Sequence, residues 1–599
     1  MRTGRPVTET SGRKVGIHEN GGHRYASTQV KVVDKNGKAS YRRVHWGTVD
    51  ENLKFHPGTK YVYADPQERK SLVFPEGWDL SETGRINGED KRGVKAYEGD
   101  DVDRQYGTTW FLDRVAEKTG LTYDLKKVFG GNMEIVNDIL TMAYYPFLDH
   151  LSYAHLEKWQ DEVKAPSERK LTSTVITRLT QSISEKNRMD LFRMRAARLG
   201  KDELCAVDST SISTYGINLV DIRWGRNKEH LPLRQTVEVV VYSITSHQPI
   251  YYRELPGNMP DSRTIEMILT ELEHAGFRNL VLITDRGYES MKNLETYIGK
   301  GQKVITSVKV TQGDVLKIIK GLDMSLGYPK GMKICKDNKL FYAQYDMDYT
   351  VDGNGDHKVK SDRYKINLYY STEVKAAAVN LIQLEVQEQS EAVTELMSTG
   401  YVMKDADDIR RKYNLLVIES DDSGKIKSFR EDTDKTEGRL RTAGFFASKT
   451  LGVDLTPLEA MDTYGMRDEQ EKCFALQKGL MFQDRLRVWS EESKHGRMFI
   501  CFVGLILASY IRNVVKDNKE LKEAYPSTES LMAEFRTIRC IEHNGRRKFI
   551  TPFVGAQVDI CKAFDFTIPD HCAPEYVSKK TPAKGRGRKP KPKTETQTY

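Results

Sequence analysis

Cysteine is scarce and scattered: seven in 599 residues, at positions 205, 335, 473, 501, 540, 561 and 572. An odd, dispersed set builds no disulfide framework, which excludes a stapled secreted domain and fits a reducing, cytoplasmic compartment. Cys540-x2-His543 lacks a second Cys-x2-Cys or His-x3-His pair, and adjacent His571-Cys572 is poor ligand geometry, so no zinc site is expected. The opening MRTGRPVTETSGRK has no apolar stretch of the kind a signal peptide needs. Long hydrophobic runs are missing too. The longest, MFICFVGLILASYI (498–511), is too short to cross a bilayer and suits a buried helix, so no membrane partner is expected. No Gly-x4-Gly-Lys-Ser/Thr loop occurs, which excludes a P-loop ATP-driven motor.

What is present is a charged helical segment, YGMRDEQEKCFALQK (464–478). On one α-helix, offsets of 3, 7 and 14 place Tyr464, Arg467, Glu471 and Lys478 within roughly 60° of one another. A carboxylate on such a face can hold a divalent metal, while the phenol and the two cations offer donors to phosphate oxygens. Most charged helix faces are only solvated, with pairs such as Arg467–Glu471, so the segment needs partners elsewhere.

Two partners are legible. ELCAVDST (203–210) reads as a short apolar strand ending in Asp208, and NLVLITDRGY (279–288) as an apolar strand ending in Asp285. A buried strand that ends in a lone Asp is a usual way for an α/β sheet to present a carboxylate. Between them lie two β-rich runs, QTVEVVVYSI (235–244) and QPIYYREL (248–255). A helix over 262–277 follows, with Ile265, Ile268, Leu269 and Leu272 on its apolar stripe and Gly276 as stop signal. Each Asp alone is as readily a turn or N-cap residue. The order of strand, two strands, helix, strand and later helix makes a shared metal site the better reading.

With these residues in hand, the chain resembles insertion-sequence transposases with a ribonuclease H-like DDE core. Its Tyr464-x2-Arg467-x3-Glu471-x6-Lys478 matches their signature without a change of spacing, and LPGNMPDSRT (255–264) is similar to their Gly-Asn-x-x-Asp stretch. The resemblance spans roughly residues 110–570. It implies an enzyme that cuts transposon ends and joins them to target DNA, as a homodimer in the end complex. It implies two Mg²⁺ ions (Mn²⁺ as substitute) held by Asp208, Asp285 and Glu471, with Asp208 bridging. It also implies that Tyr464, Arg467 and Lys478 grip the phosphates of the transposon end. A ribonuclease H-like nuclease that only cuts, or a host DNA-binding protein that has lost transposition, are the alternatives.

The expected architecture is therefore an α/β ribonuclease H-like core with additions. Residues 1–83 form an N-terminal β-hairpin region, with two strand-like runs in 23–48 around Lys35-Asn36-Gly37-Lys38. Its Tyr25, Lys31, Arg42, Arg43 and Trp46 make a surface for possible DNA contact. A polar linker (84–108) and a helical region (109–200) precede the catalytic core, which comes in two stretches. The first (201–315) is separated by a β-rich insertion (316–440) from the second (441–515), and a C-terminal region (516–577) follows. The 186 residues between Asp285 and Glu471 accommodate the insertion, and AGFFASKT (443–450) reads as a strand returning to the core.

Residues 578–599 form a Pro/Gly-interrupted basic tail, expected to be disordered when free. It holds eight Lys/Arg, among them Lys584, Arg586, Arg588 and Lys589, against one Glu. That is +7 of the chain's +8, leaving the body near neutral. Clustered cations release counterions from phosphate, so affinity carried by the tail falls steeply with salt. Removing residues 579–599 is expected to weaken nonspecific DNA binding and to flatten its salt slope by as much as about 7, without ending catalysis. Anisotropy titrations over a salt series measure this; an unchanged slope assigns the tail another task.

Overall fold

The computed structural model describes residues 13–33, 38–62, 64–86, 102–149, 152–216, 218–225, 233–351, 360–403, 405–543 and 547–573. The centre of the expected hairpin turn, most of the linker, and the whole tail with Lys584, Arg586, Arg588 and Lys589 lie outside them. The chain divides into two units, Met1–Arg104 with Arg539–Thr551, and Gln105–Ile538 with Pro552–Tyr599.

In the first unit, Gly16–Asn20, His23–Val33, Ala39–Val49 and Phe55–Pro57 form a four-stranded antiparallel sheet. The paired runs are those the alternating sequence predicts. Trp46, expected on the surface, is instead 1% exposed. It packs with Val15, Ala26, Phe55 and Tyr61, and its indole N–H donates to Thr28 Oγ1 at 3.0 Å. A large ring with one polar atom gains most by burial once that atom has a partner. Arg42 and Arg43 remain exposed.

The second unit opens with helices, including α1 (Met133–Leu148) and α2 (Ser173–Ser182). The Asn132 side chain caps α1 by accepting from Glu134 N and Ile135 N, and apolar residues all round α1 match its burial. Next comes a sheet built from β1 (Leu204–Thr214), β2 (Arg234–Ser243), β3 (Gln248–Pro256), β4 (Val281–Thr284), β5 (Lys303–Val308), β6 (Lys333–Cys335), β7 (Leu340–Val351), β8 (Lys360–Tyr370), β9 (Phe445–Leu451) and β10 (Arg485–Leu486). Its order is β3-β2-β1-β4-β5-β9-β8-β7-β6, with β10 against the end of β1. Strands β1, β4 and β5 are mutually parallel, and the remaining neighbours along the row are antiparallel. Helix α3 (Ile265–His274) buries the predicted stripe of Ile265, Ile268, Leu269 and Leu272.

Two expectations are revised. β1 does not end at Asp208 but continues six residues further, because β2 pairs with it as far as Thr214. The segment expected as a β-rich insertion is mixed. Its long strands β7 and β8 extend the core sheet through β9, and what leaves the sheet is led by the 27-residue helix α4 (Thr372–Ser398). That excursion has its own small core of Val393, Met403, Tyr413, Leu416, Ile418 and Ile426.

After β9 come α5 (Pro457–Gly465), α6 (Asp468–Lys478) and α7 (Glu491–Asp517). Helix α7 contains the apolar run 498–511 and is the one helix among the described residues long and apolar enough to cross a membrane. Two thirds of its apolar window is buried inside the protein, so it is a core helix here. At Gly496 a Cβ would sit 2.1 Å from the Thr180 carbonyl oxygen, so only glycine lets α2 approach α7 this closely.

Helix α6 lies over β2 with buried polar contacts. Gln477 Nε2 donates to Glu238 Oε2, and burial pushes the Glu238 carboxyl up to about 8 although that bond acts the other way. The folded chain keeps this proton where an unfolded chain releases it near 4.5. Its contribution is therefore fully present below about pH 4.5 and is lost as pH rises towards about 8. Glu238→Gln is expected to flatten the fall in stability across that window, read from urea midpoints at several pH values. An identical fall in the variant excludes Glu238 as its cause.

Candidate active site

The register of β1 and β4 brings two of the predicted residues together. It ends with Val207 opposite Thr284, so Asp208 and Asp285 come next on neighbouring parallel chains, whose spacing is ~4.8 Å. Each carboxylate accepts from the following backbone amide, Ser209 N at 2.8 Å and Arg286 N at 2.7 Å. Oδ1 of each acid is thereby fixed.

Helix α6 supplies the third carboxylate. Gln470 Nε2 donates at 2.7 Å to the carbonyl of Val240, the residue opposite Asp208 in the β1–β2 register. On the side facing α7, Glu469 pairs with Arg512 at 2.5 Å and Lys516 at 3.0 Å. Burial opposes Glu469's charge, but these two cations outweigh it and hold its carboxyl at about 2. With residues 469, 470 and 477 drawn inward, Glu471 falls on the outer side, its side chain 55% exposed.

The single continuous helix face expected for Tyr464 to Lys478 needs correction. Two helices meet at Met466–Arg467, where backbone bonds run from residue i to i−3: Arg467 N to Tyr464 O at 3.0 Å and Gln470 N to Arg467 O at 2.9 Å. In such a 3₁₀ turn, residues three apart eclipse each other. Tyr464 and Arg467 therefore stack, the guanidinium 5.8 Å from the ring centroid. Arg467 donates to Asp208 Oδ2 at 3.0 Å and to Glu471 Oε1 at 2.7 Å, while the Tyr464 hydroxyl donates to Asp285 Oδ1 at 3.1 Å. Both side chains, expected at phosphates, meet carboxylates in this structure. Lys478 is the last residue of α6, half-buried and about 10 Å along the helix axis from Glu471.

Burial and then Asp285 raise the pKa of Tyr464. Burial works against Arg467's charge, yet Tyr464, Asp208, Asp285 and Glu471 together raise its pKa. The phenol stays protonated and the guanidinium charged at any physiological pH.

Asp261, the acid of the Gly-Asn-x-x-Asp stretch, is a further acid beside the site, to which the sequence assigned no role. Its Oδ1 accepts from Ser209 Oγ at 2.7 Å, next to Asp208. The stretch's glycine is required sterically: a Cβ on Gly257 would lie 1.9 Å from the Gln235 carbonyl oxygen.

Carboxylate oxygens of this kind suit a hard divalent cation. Asp208 and Asp285 fit such an ion by adjacency. Glu471 reaches the pair through Arg467, and among the described residues no three His, Cys, Asp or Glu side chains stand close enough to hold one ion together. The three predicted ligands are thus linked through a guanidinium and a phenol rather than gathered at one point. A single guanidinium fork matches two carboxylates at once, which accounts for the arrangement.

The family model for the transposase DDE domain matches residues 199–506, 308 of the chain's 599. No curated protein matches the sequence. Among solved structures, the chain is similar to a piggyBac transposase synaptic complex with hairpin DNA, at 8% identity over 72% of this chain and 75% of that one, with a TM-score of 0.29. It is also similar to a Mos1 transposase paired-end complex with the left transposon end, at 14% identity over 28% and 57% of the two chains, with a TM-score of 0.13.

The loop after Asp285 is tied down by a buried triad. Lys449 on β9, its side chain 2% exposed, pairs with Glu289 at 3.1 Å and with Asp314 at 2.8 Å. Removing the cation leaves two uncompensated acids in the interior, which typically costs about 3–5 kcal/mol. Lys449→Met is expected to lower the urea midpoint accordingly; a loss under about 1 kcal/mol shows that water solvates the pair instead.

Proposed function

The chain belongs to the transposase DDE domain family, and from that premise we propose that it is a DNA transposase that cuts transposon ends and joins them to target DNA. The observation that carries this reading is the side-by-side placement of Asp208 and Asp285 on parallel strands, with Glu471 linked to Asp208 by Arg467. The parallel β1–β4–β5 centre flanked by antiparallel β2 and β3 supports a ribonuclease H-like core.

Members of the family use divalent metal ions. Asp208, Asp285 and Glu471 would hold them here, with Mg²⁺ as the working ion and Mn²⁺ as substitute. When bound, such ions activate the attacking hydroxyl and stabilise the leaving 3′-oxygen. The chain's own groups do the positioning. The amides of Ser209 and Arg286 hold one oxygen of each aspartate still, so the other keeps a constant direction. Arg467's planar fork is as well matched to phosphate oxygens as to carboxylates, so it exchanges Glu471 for the phosphate beside the scissile bond. Tyr464 holds Asp285 by its hydroxyl, and Lys478 contacts a phosphate further along the strand.

The partner in this reading is DNA, both transposon ends and target, bound by two copies of the chain in a reducing, cytoplasmic setting. The exposed Arg42 and Arg43 of the N-terminal sheet and the basic tail add backbone contacts.

Glu471→Gln keeps the side chain's shape and removes its charge. Strand cleavage in Mg²⁺ is expected to fall at least about 100-fold while binding of end DNA stays within about twofold. Cleavage at the wild-type rate would refute the assignment. A joined product with a supercoiled target separates a transposase from a nuclease that only cuts.

A further inference from the structure

A cavity of about 560 Å³ opens between the end of α1, helix α2 and the segment Phe482–Ser490 that joins α6 to α7. It is separate from the carboxylates. Its wall includes β10, which runs parallel to the far end of β1 with Arg485 opposite Ser213. Ser213 is five residues beyond Asp208, ~17 Å along the strand.

Three guanidinium side chains line the cavity, Arg485, Arg487 and Arg497, against the single carboxylate of Asp149. Arg497 stacks on Tyr153, its guanidinium carbon 3.8 Å from the ring centroid. Its Nη1 is buried and has no hydrogen-bond partner in the protein. Arg485 Nε also lacks a hydrogen bond, though Asp484 Oδ2 stands 3.9 Å from it, and Arg487 pairs with the same carboxylate at 3.7 Å. Buried donors without acceptors are costly, and an anionic oxygen relieves that cost best. The Arg485 Nη1 is already held by the Tyr215 hydroxyl at 3.0 Å, so this guanidinium is fixed in place.

At the same cavity Trp489 is 73% exposed, and nearby Tyr215 is 64% exposed. Large flat rings open to water beside three guanidinium groups, of which Arg497 keeps a donor without an acceptor, match a ligand with an aromatic face and an anionic oxygen. A nucleoside phosphate has both, and 560 Å³ lies within the range of pockets that enclose a molecule of that size.

We propose that this cavity is a nucleotide subsite that takes one unstacked nucleotide of a DNA strand, its base against Trp489 and its phosphate against Arg497 and Arg485. The strand reaches it along the far end of β1, the strand that carries Asp208. The proposal rests on the DNA reading above but does not depend on cleavage. A free nucleotide offers the same chemistry, so polymer and monomer must be compared.

The test uses the full chain and fluorescein-labelled dT8 in anisotropy titrations, with dTMP as competitor and a duplex of equal length as control. Trp489→Ala is expected to weaken dT8 binding on the order of tenfold, the loss of one stacked base, while Trp489→Phe stays within about threefold. Arg497→Gln is expected to weaken dT8 binding and to lower its salt slope by about 0.7. Duplex affinity is expected to stay constant in all three. Because Trp489 is at the surface, its variants keep the fold even if Arg497→Gln does not. Wild-type dT8 affinity in Trp489→Ala overturns the subsite. dTMP binding as tightly as dT8 overturns its assignment to a DNA strand. A wild-type protein that binds dT8 through Trp489 yet cuts no DNA refutes the transposase reading and leaves the subsite standing.

Discussion

The parallel pairing of β1 with β4 is the constraint from which the rest of the site follows. Its register ends at Val207 and Thr284, and that alone sets two carboxylates at one level. A slip by one residue would turn one aspartate to the other face of the sheet. A slip by two would separate them by ~7 Å along the strand. The same register fixes what lies opposite on β2. Val240 faces Asp208 there, and its carbonyl is the acceptor that holds Gln470 of α6. This buried hydrogen bond is one of the contacts that tie the position of Glu471 to the sheet.

Helix α6 buries Cys473 and Phe474, but it is also attached by specific polar contacts. Gln470, Gln477 and Glu469 are all buried, and each has a specific partner on β2 or α7. Apolar packing tolerates small slides, whereas a buried amide or ion pair that loses its partner is expensive, so these bonds select one placement. The cost appears at Glu238, which stays protonated well above the usual carboxylate range. On the open side Arg467 balances Asp208 and Glu471 with one charge, and Tyr464 serves Asp285. The 3₁₀ junction at Met466–Arg467 aims both side chains the same way. The cavity lined by Arg485 and Arg497 lies on the extension of the same strand, so strand β1 connects the carboxylates to the second cationic site.

Much of this was legible in the sequence. The strands around Asp208 and Asp285 announce themselves by continuous apolar runs, α3 by its 3.6-residue stripe, and the helical segment around Glu471 by composition. The extent of β1 was not legible, because STSIST after Asp208 is polar and only its partner β2 makes it strand. The break in the signature helix was hidden as well. Gly465 and Asp468 are weak helix formers, but a lone glycine or aspartate is common inside helices; the i to i−3 bonding arises where α5 and α6 are each held by different regions of the sheet. Trp46 looked like a surface aromatic because nothing in its own strand reveals Thr28 as partner for its indole N–H. The long segment after β5 read as β-rich because β7 and β8 are unmistakable, but their union with the core sheet depends on β9, some 75 residues later.

By itself the sequence determined which residues carry charge, their spacing, the periodicity of most elements and the family to which they point. Those are local properties, set by side-chain chemistry and by backbone preferences over a few residues. The tertiary structure alone decided that Asp208 and Asp285 share a level, that Glu471 reaches them through Arg467, and that Asp261 and Lys449 stand beside the site. Such placements depend on strand register and on buried partners hundreds of residues apart. No local pattern encodes them, because the free energy that selects them appears only when the chain has closed on itself.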